Sequence, residues 1–170
     1  YINSSLDMRM ISHVANSMQE LSLELYGDAD FAGCVDTNKL TTGAFMVLKG
    51  THTFFPQAAV SKKQACVSHS TSEAEIVAVD HAVRVEGLPG LSLWDTLSGR
   101  DMNLTFKEDN TATIRIIEAG RSQALRHLAR THRVNISWLH EVVTNRLISL
   151  LYVPSKEQLA DMFTKSTHTK

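Results

Sequence analysis

Four stretches of this 170-residue chain carry carboxylates where they could do chemistry. Asp28 and Asp30 lie in Tyr26-Gly27-Asp28-Ala29-Asp30-Phe31-Ala32-Gly33. Glu75 interrupts an apolar run, Asp109 stands in Lys107-Glu108-Asp109-Asn110, and Asp161 follows Leu159-Ala160. Hard oxygen ligands drawn from separate elements, with no cysteine pair or histidine cluster beside them, suit Mg2+. Two such ions about 3.5–4 Å apart can activate a water and support the leaving oxygen of a phosphodiester. Each stretch also has an ordinary reading: Asp and Gly are common where a strand runs into a turn, and the helix dipole favours an acid near a helix start. What decides is whether the elements bring the acids together.

The run Leu21-Ser22-Leu23-Glu24-Leu25-Tyr26 alternates, which predicts a strand with Leu21, Leu23 and Leu25 on one side and Ser22, Glu24, Tyr26 and Asp28 on the other. Asp28 then sits at a strand end, and Gly27 and Gly33 give the flanking backbone freedom to approach a ligand. Thr42 to Leu48 is apolar enough for a strand covered on both faces, and Thr53 to Val60 makes a third that Pro56 confines to an edge or a bulge. These three read as an antiparallel meander.

Ser70 with Glu73, and Ser72 with Glu75, have capping-box spacing. The residues that follow, from Ala74 to Val85, are apolar on nearly every side, which predicts a buried helix. Inside it Glu75 needs a cation, a proton or water, unless it faces solvent at the helix start. Gly87-Leu88-Pro89-Gly90 is expected to break this helix, with a shorter one over 91–97 anchored by Trp94. Asn103 to Asn110 alternates again, placing Asp109 at the end of another strand, and Thr111 to Ala119 reads as a helix closed by Gly120. Strand, helix and strand in succession imply a right-handed crossover and parallel pairing.

Between Ala119 and His140 there is no acidic residue, while Arg126, Arg130 and Arg133 recur at i, i+4 and i+7. On a helix they would form one face, a phosphate-binding stripe, although a solvated face has the same spacing. Ile136, Leu139 and Val143 mark a further helix, and Leu147 to Val153 a last strand. Ser155 and Gln158 have capping-box spacing for a terminal helix with Leu159, Met162 and Phe163 buried and Asp161 turned away from them.

With 43% hydrophobic and 21% charged residues the chain fits one domain with a real core. It has no apolar run of membrane-spanning length and no signal-peptide pattern, so the expectation is a soluble, intracellular protein with no membrane partner. Cys34 and Cys66 form no CxxC pair, which argues against a disulfide framework or a cysteine zinc site. The eight histidines are scattered, and His127 and His132 are expected to be surface or core residues. A net charge of −1 and a pI of about 6.8 give no sign of nucleic acid in the total. Because the chain begins with Tyr1, a domain excised from a longer polypeptide is expected. Residues 1–19 are then a linker or connection remnant, 20–166 the domain and 167–170 a tail.

Seven blocks in order resemble the ribonuclease H domain of copia-type (Pseudoviridae) LTR retrotransposon reverse transcriptases: Tyr26–Gly33, Lys39–Gly43, Ser61–Gln64, Ser70–Glu75, Glu108–Asn110, Arg130–Ile136 and Tyr152–Lys165. The resemblance implies an α/β fold, a five-stranded mixed sheet with strands 1–3 antiparallel and 4–5 parallel, and helices on both faces. Carried over by position, the catalytic and metal-binding acids are Asp28, Glu75, Asp109 and Asp161; Asp30 becomes a neighbour, Glu73 a capping residue, and Glu108 and Glu118 non-catalytic. Departures are Ile76 where the family usually has an aromatic, Ala59 near a missing tryptophan, and no histidine in the loop before the last helix, so His127, His132 and His140 receive no catalytic role. The implied activity is two-metal hydrolysis of the RNA strand of an RNA–DNA hybrid with Mg2+, for which Mn2+ can substitute. Gly33, Ser72 and Asn110 are then candidates for 2′-hydroxyl contacts, and Lys62, Lys63, Arg126, Arg130 and Arg133 for phosphates. The implied partners are the hybrid and the rest of a reverse transcriptase polyprotein; the isolated domain is expected to be monomeric and its parent cytoplasmic, within virus-like particles. Two rival readings use the same fold: a catalytically degenerate docking or connection domain, against which four retained acids argue, and a DNA-cutting transposase or integrase core, whose last acid is usually a glutamate.

Overall fold

The computed structural model describes residues 6–9, 11–30, 40–145 and 147–165. Five strands form one mixed sheet: β1 (Ser22–Asp30), β2 (Thr41–Gly50), β3 (Thr53–Lys63), β4 (Leu104–Glu108) and β5 (Ser149–Tyr152), in the order β3-β2-β1-β4-β5. β1, β2 and β3 pair antiparallel, while β4 runs parallel to β1 and β5 parallel to β4. Pro56 lies on the edge strand, beside a register shift in which Met46 faces Ala58 and Val47 faces Pro56. The edge and the bulge together admit a residue that cannot donate to the ladder.

Alternation along β1 sets the two faces of the sheet. Leu21, Leu23 and Leu25 enter the main core with Ile76 and Val79 of α1 (Thr71–Ala82) and with Leu104 and Phe106 of β4. Tyr26, on the other face, packs with Val47, Ala160 and Leu159. The helical layer continues with α2 (Leu88–Ser98), α3 (Thr111–Ala119), α4 (Leu128–Thr131) and α5 (Ile136–Thr144).

The expected break at Gly87 is absent. A π-helical turn, Val83–Gly87, joins α1 to α2, and Ala82, Gly87 and Leu88 all keep right-handed helical dihedrals. Pro89 falls in the first turn of α2, where a missing N–H costs little. Gly87 serves packing: a Cβ there would stand 2.9 Å from Leu25 Cδ2 and 3.2 Å from Leu104 Cδ2. At Gly27 the space a side chain would need is filled by the Phe106 ring, 2.6 Å away, so close packing explains this glycine.

The terminal helix expected from Ser155 is replaced by two 3₁₀ turns, Ser155–Glu157 and Leu159–Phe163. Gln158 between them is extended (φ −74°, ψ 97°), and its side chain caps the second turn by accepting from Ala160 N. Met162, expected in the buried stripe, is 65% exposed, and Ala160 is buried instead.

No strand forms around Met8 and Ile11, and Met10 lies outside the described residues. The segment after them is tied to the β2–β3 hairpin. Ala15 N and Asn16 N donate to Thr53 Oγ1, and Asn16 Oδ1 accepts from His52 N. Arg100 holds the following turn, donating to the carbonyls of Met18 and Leu21 at 2.7 Å each.

Candidate active site

Three of the four predicted acids converge. Ligand oxygens of Asp28, Glu75 and Asp109 lie within 4.8 Å of one another, the one such cluster of potential metal ligands among the described residues. The topology explains it: β1 and β4 are parallel neighbours, so Asp28 near the end of one and Asp109 just after the other meet at the same edge of the sheet. α1 packs across β1 and brings Glu75, in its second turn, above them. Asp28, and not Asp30, joins the cluster. Glu75 is 5% exposed, so the solvent-facing alternative for it does not hold.

The electrostatics of this cluster are unbalanced. Burial, with the charges of Asp28 and Asp109 beside it, pushes the Glu75 carboxyl up to about 9, and Glu75 Oε2 has no hydrogen-bond partner. Burial also raises Asp28, reinforced by Asp109 and Asp161 and opposed by a hydrogen bond from Thr164. An orphaned buried carboxylate oxygen facing two further acids is what a divalent cation would satisfy, and the all-oxygen donor set suits a hard ion. The chain's own residues therefore fit a divalent metal site.

Asp161 stands apart from the three. Its side chain is 38% exposed and pairs with Lys165 one turn later, yet its charge reaches Asp28. The turn that carries it is docked by Gln158, whose Nε2 donates to Gly27 O at 2.9 Å, and by Thr164, whose Oγ1 donates to Asp28 Oδ2 at 2.6 Å. Gln158 stood out only as the partner of Ser155 in a capping-box spacing, and Thr164 not at all. Their signal is two polar residues flanking an acid on a segment that must bury one side.

Glu108, read as non-catalytic, is 0% exposed behind the cluster. It accepts from Asn110 N at 3.1 Å, while its Oε2 has no partner. Burial, and then the neighbouring Glu75, holds its carboxyl well above the usual range. Burial beside the other acids thus favours the protonated form of Glu108.

Glu73 is capped as expected, with Ser70 Oγ accepting from Glu73 N. Its carboxylate, however, reaches His69 N at 2.9 Å, not the N-cap backbone, and also meets His127 Nε2 at 3.1 Å. His132 is buried beside it and near Ser68 Oγ, and burial lowers its pKa. These two histidines fasten the 127–134 segment to the start of α1.

The candidates for nucleic-acid contact fall in different places. Ser72 is half-buried in the first turn of α1, and Asn110 caps α3, accepting from Ala112 N and Thr113 N. Gly33 lies outside the described residues. The arginine stripe is not one helix face: Arg126 precedes the single turn of α4, Arg130 lies in it, and Arg133 follows it with φ 59°. That left-handed residue turns the chain toward Val134. Arg133 consequently joins Lys62, Lys63, Arg84 and His81 around a cavity of about 400 Å³, and Arg126 lines a separate one with Arg121.

A mixed sheet in this order, with helical elements packed against it and acids gathered at the ends of its two central parallel strands, is the ribonuclease H fold. Solved structures agree. The LC11 ribonuclease H obtained from compost is 15% identical with a TM-score of 0.55, covering 84% of this chain and 91% of that one. The same protein in complex with an RNA/DNA hybrid matches with a TM-score of 0.54, 14% identity and coverage of 84% and 93%. The N-terminal ribonuclease H domain of a Mycobacterium tuberculosis protein gives 0.52, 10% identity and coverage of 85% and 91%. No protein-family model matches the chain. In sequence it is 29% identical over 150 residues to the retrovirus-related Pol polyprotein from transposon TNT 1-94 of Nicotiana tabacum, an alignment covering 84% of this chain. The chain spans about a tenth (10%) of that polyprotein. Both the resemblance to a copia-type ribonuclease H domain and the fold it implies are borne out.

Proposed function

We propose that this chain is an endonuclease that hydrolyses the RNA strand of RNA–DNA hybrids, acting as part of a retrotransposon polyprotein in the cytoplasm. The observation that carries the reading is the convergence of Asp28, Glu75 and Asp109 around an unpartnered, buried Glu75 oxygen. These three would hold divalent ions, Mg2+ or Mn2+, with Asp161 reaching in from the rim. Two bound ions supply the charge that activates an attacking water and stabilises the departing 3′ oxygen. The chain's own part would be to hold Asp28, Glu75 and Asp109 together at one end of the central strands, with Asp161 on the rim, and to leave Glu75 ionised when a cation is present, since burial otherwise favours its neutral form.

Ser72 lies three residues before Glu75 on α1 and Asn110 directly follows Asp109 past the end of β4, where they would meet the 2′-hydroxyls that distinguish RNA from DNA. Lys62, Lys63 and Arg133 line one cavity and would take phosphates on that side; Arg126 and Arg130 would act from the neighbouring turn. The test is cleavage of a labelled hybrid with and without Mg2+, comparing wild type with Asp109→Asn. Metal-dependent cutting that Asp109→Asn abolishes is expected. No cutting by wild type in Mg2+ or Mn2+ would favour the docking-domain reading, and cutting of duplex DNA the transposase reading.

A further inference from the structure

Thr164 touches the site without being an acid, and no sequence motif assigned it a role. It is buried, and its hydroxyl approaches Asp28 Oδ2 at 2.6 Å and Asp161 O at 3.0 Å. A hydroxyl has one proton, and the nearer, charged acceptor takes it. The backbone of the same residue donates to Asp161 O at 3.3 Å. Thr164 therefore bonds the first acid with its side chain and the residue carrying the fourth acid with its main chain.

The sheet is shaped to receive it. Gly43 is the residue of β2 paired with Asp28, and a Cβ there would stand 2.7 Å from both Ala160 O and Thr164 Cγ2. The missing side chain opens the gap into which the terminal turn settles. Gln158 holds the other end of that turn on Gly27 O, one residue before Asp28. Lys165, next to Thr164, pairs with Asp161. Two hydrogen bonds thus bind 158–165 to the strand that carries Asp28, and the shorter of them acts on Asp28 itself, while the Lys165–Asp161 pair braces the turn internally.

We propose that Thr164 is a positioning residue that couples the two halves of the site, fixing the Asp28 carboxylate for a cation and seating the turn that presents Asp161. Ion binding at Asp28 and ordering of the 159–165 segment are then linked events. The inference rests on the metal-centre reading above. A buried threonine that merely bonds the nearest acceptor would contribute to packing and leave ion affinity alone.

The experiment measures Mn2+ binding by calorimetry on the whole chain without nucleic acid, with amide hydrogen exchange of 159–165 followed with and without the ion. Outer partners of metal ligands are typically worth about 10–100-fold in affinity. Thr164→Val should weaken Mn2+ binding at least about tenfold and remove the ion-dependent protection of 159–165, while Thr164→Ser, which keeps the hydroxyl, should retain both. Gly43→Ala, whose Cβ meets the turn, should behave like Thr164→Val. Wild-type affinity in Thr164→Val, or equal loss in Thr164→Ser, overturns the role of Thr164 alone. If wild type binds no Mn2+, the metal-centre reading falls and this one with it.

Discussion

The two halves of the site are built by different means. Asp28, Glu75 and Asp109 stand on strand ends and on the most buried helix, elements held by the main core, and their convergence follows from the sheet order. Asp161 stands on a 3₁₀ turn that packs on the opposite face with Tyr26 and Val47 and depends on side-chain bonds from Gln158 and Thr164. The first half is costly to disturb because the whole domain positions it. The second can loosen while the domain stays folded, so stability and activity should respond differently in the two.

The largest effect is expected at Glu75. Glu75→Gln removes a ligand of the cluster, and hybrid cleavage should fall by more than the roughly 10–100-fold that outer partners of metal ligands are worth. The same change removes a buried, unpartnered carboxylate, so the ion-free protein should gain on the order of 1 kcal/mol in a denaturant titration near neutral pH. Lost activity together with lost stability would break the contrast.

A smaller effect is expected at Gln158. Gln158→Leu keeps the bulk and deletes the bond to Gly27 O, leaving a buried carbonyl less satisfied at a cost of about 1–3 kcal/mol. The loss should appear as faster exchange in 159–164, with β1 and β4 protected as before. Equal deprotection of β1 would mean that the two halves are one cooperative unit.

A further test, without any substitution, is a pH slope. Glu75 is raised from 4.5 to about 9 and Asp28 is raised as well, so the folded, ion-free protein keeps protons that the unfolded chain has released. Its stability should therefore be greatest below the unfolded value and decline as pH rises from about 4.5 through about 9. Added Mg2+ should flatten the decline, because a cation stabilises the ionised acids. A melting temperature that does not fall over this window without the ion would show that Glu75 already has a partner.

Much of the first half was legible in the sequence because its determinants are periodic. Alternation placed Asp28 and Asp109 at strand ends, Pro56 marked the edge, and the all-round apolar character of 74–85 made Glu75 anomalous before any geometry was known. The second half was misread because a capping-box spacing and an apolar stripe are shared by an α-helix and by a turn that uses Gln158 to grip a neighbouring strand. The arginine stripe failed for a related reason. Spacing gives a common face only while the helix lasts, and α4 lasts one turn before Arg133 leaves it. Gly87 and Pro89 were read as breakers by residue type, whereas a π-turn and the need for close contact with Leu25 and Leu104 keep the helix going.

The Arg100 guanidinium bears on where this unit can be cut from a longer polypeptide. It gathers the carbonyl of Met18, in the stretch read as a linker, together with that of Leu21, and Asn16 stitches the same stretch to the hairpin. A chain starting at the first residue of β1 would deprive the Arg100 guanidinium of both carbonyls and uncover the β2–β3 turn. Removing residues 12–21 should therefore lower the melting temperature of the sheet, since even Ser12 reaches Phe54 O with its hydroxyl.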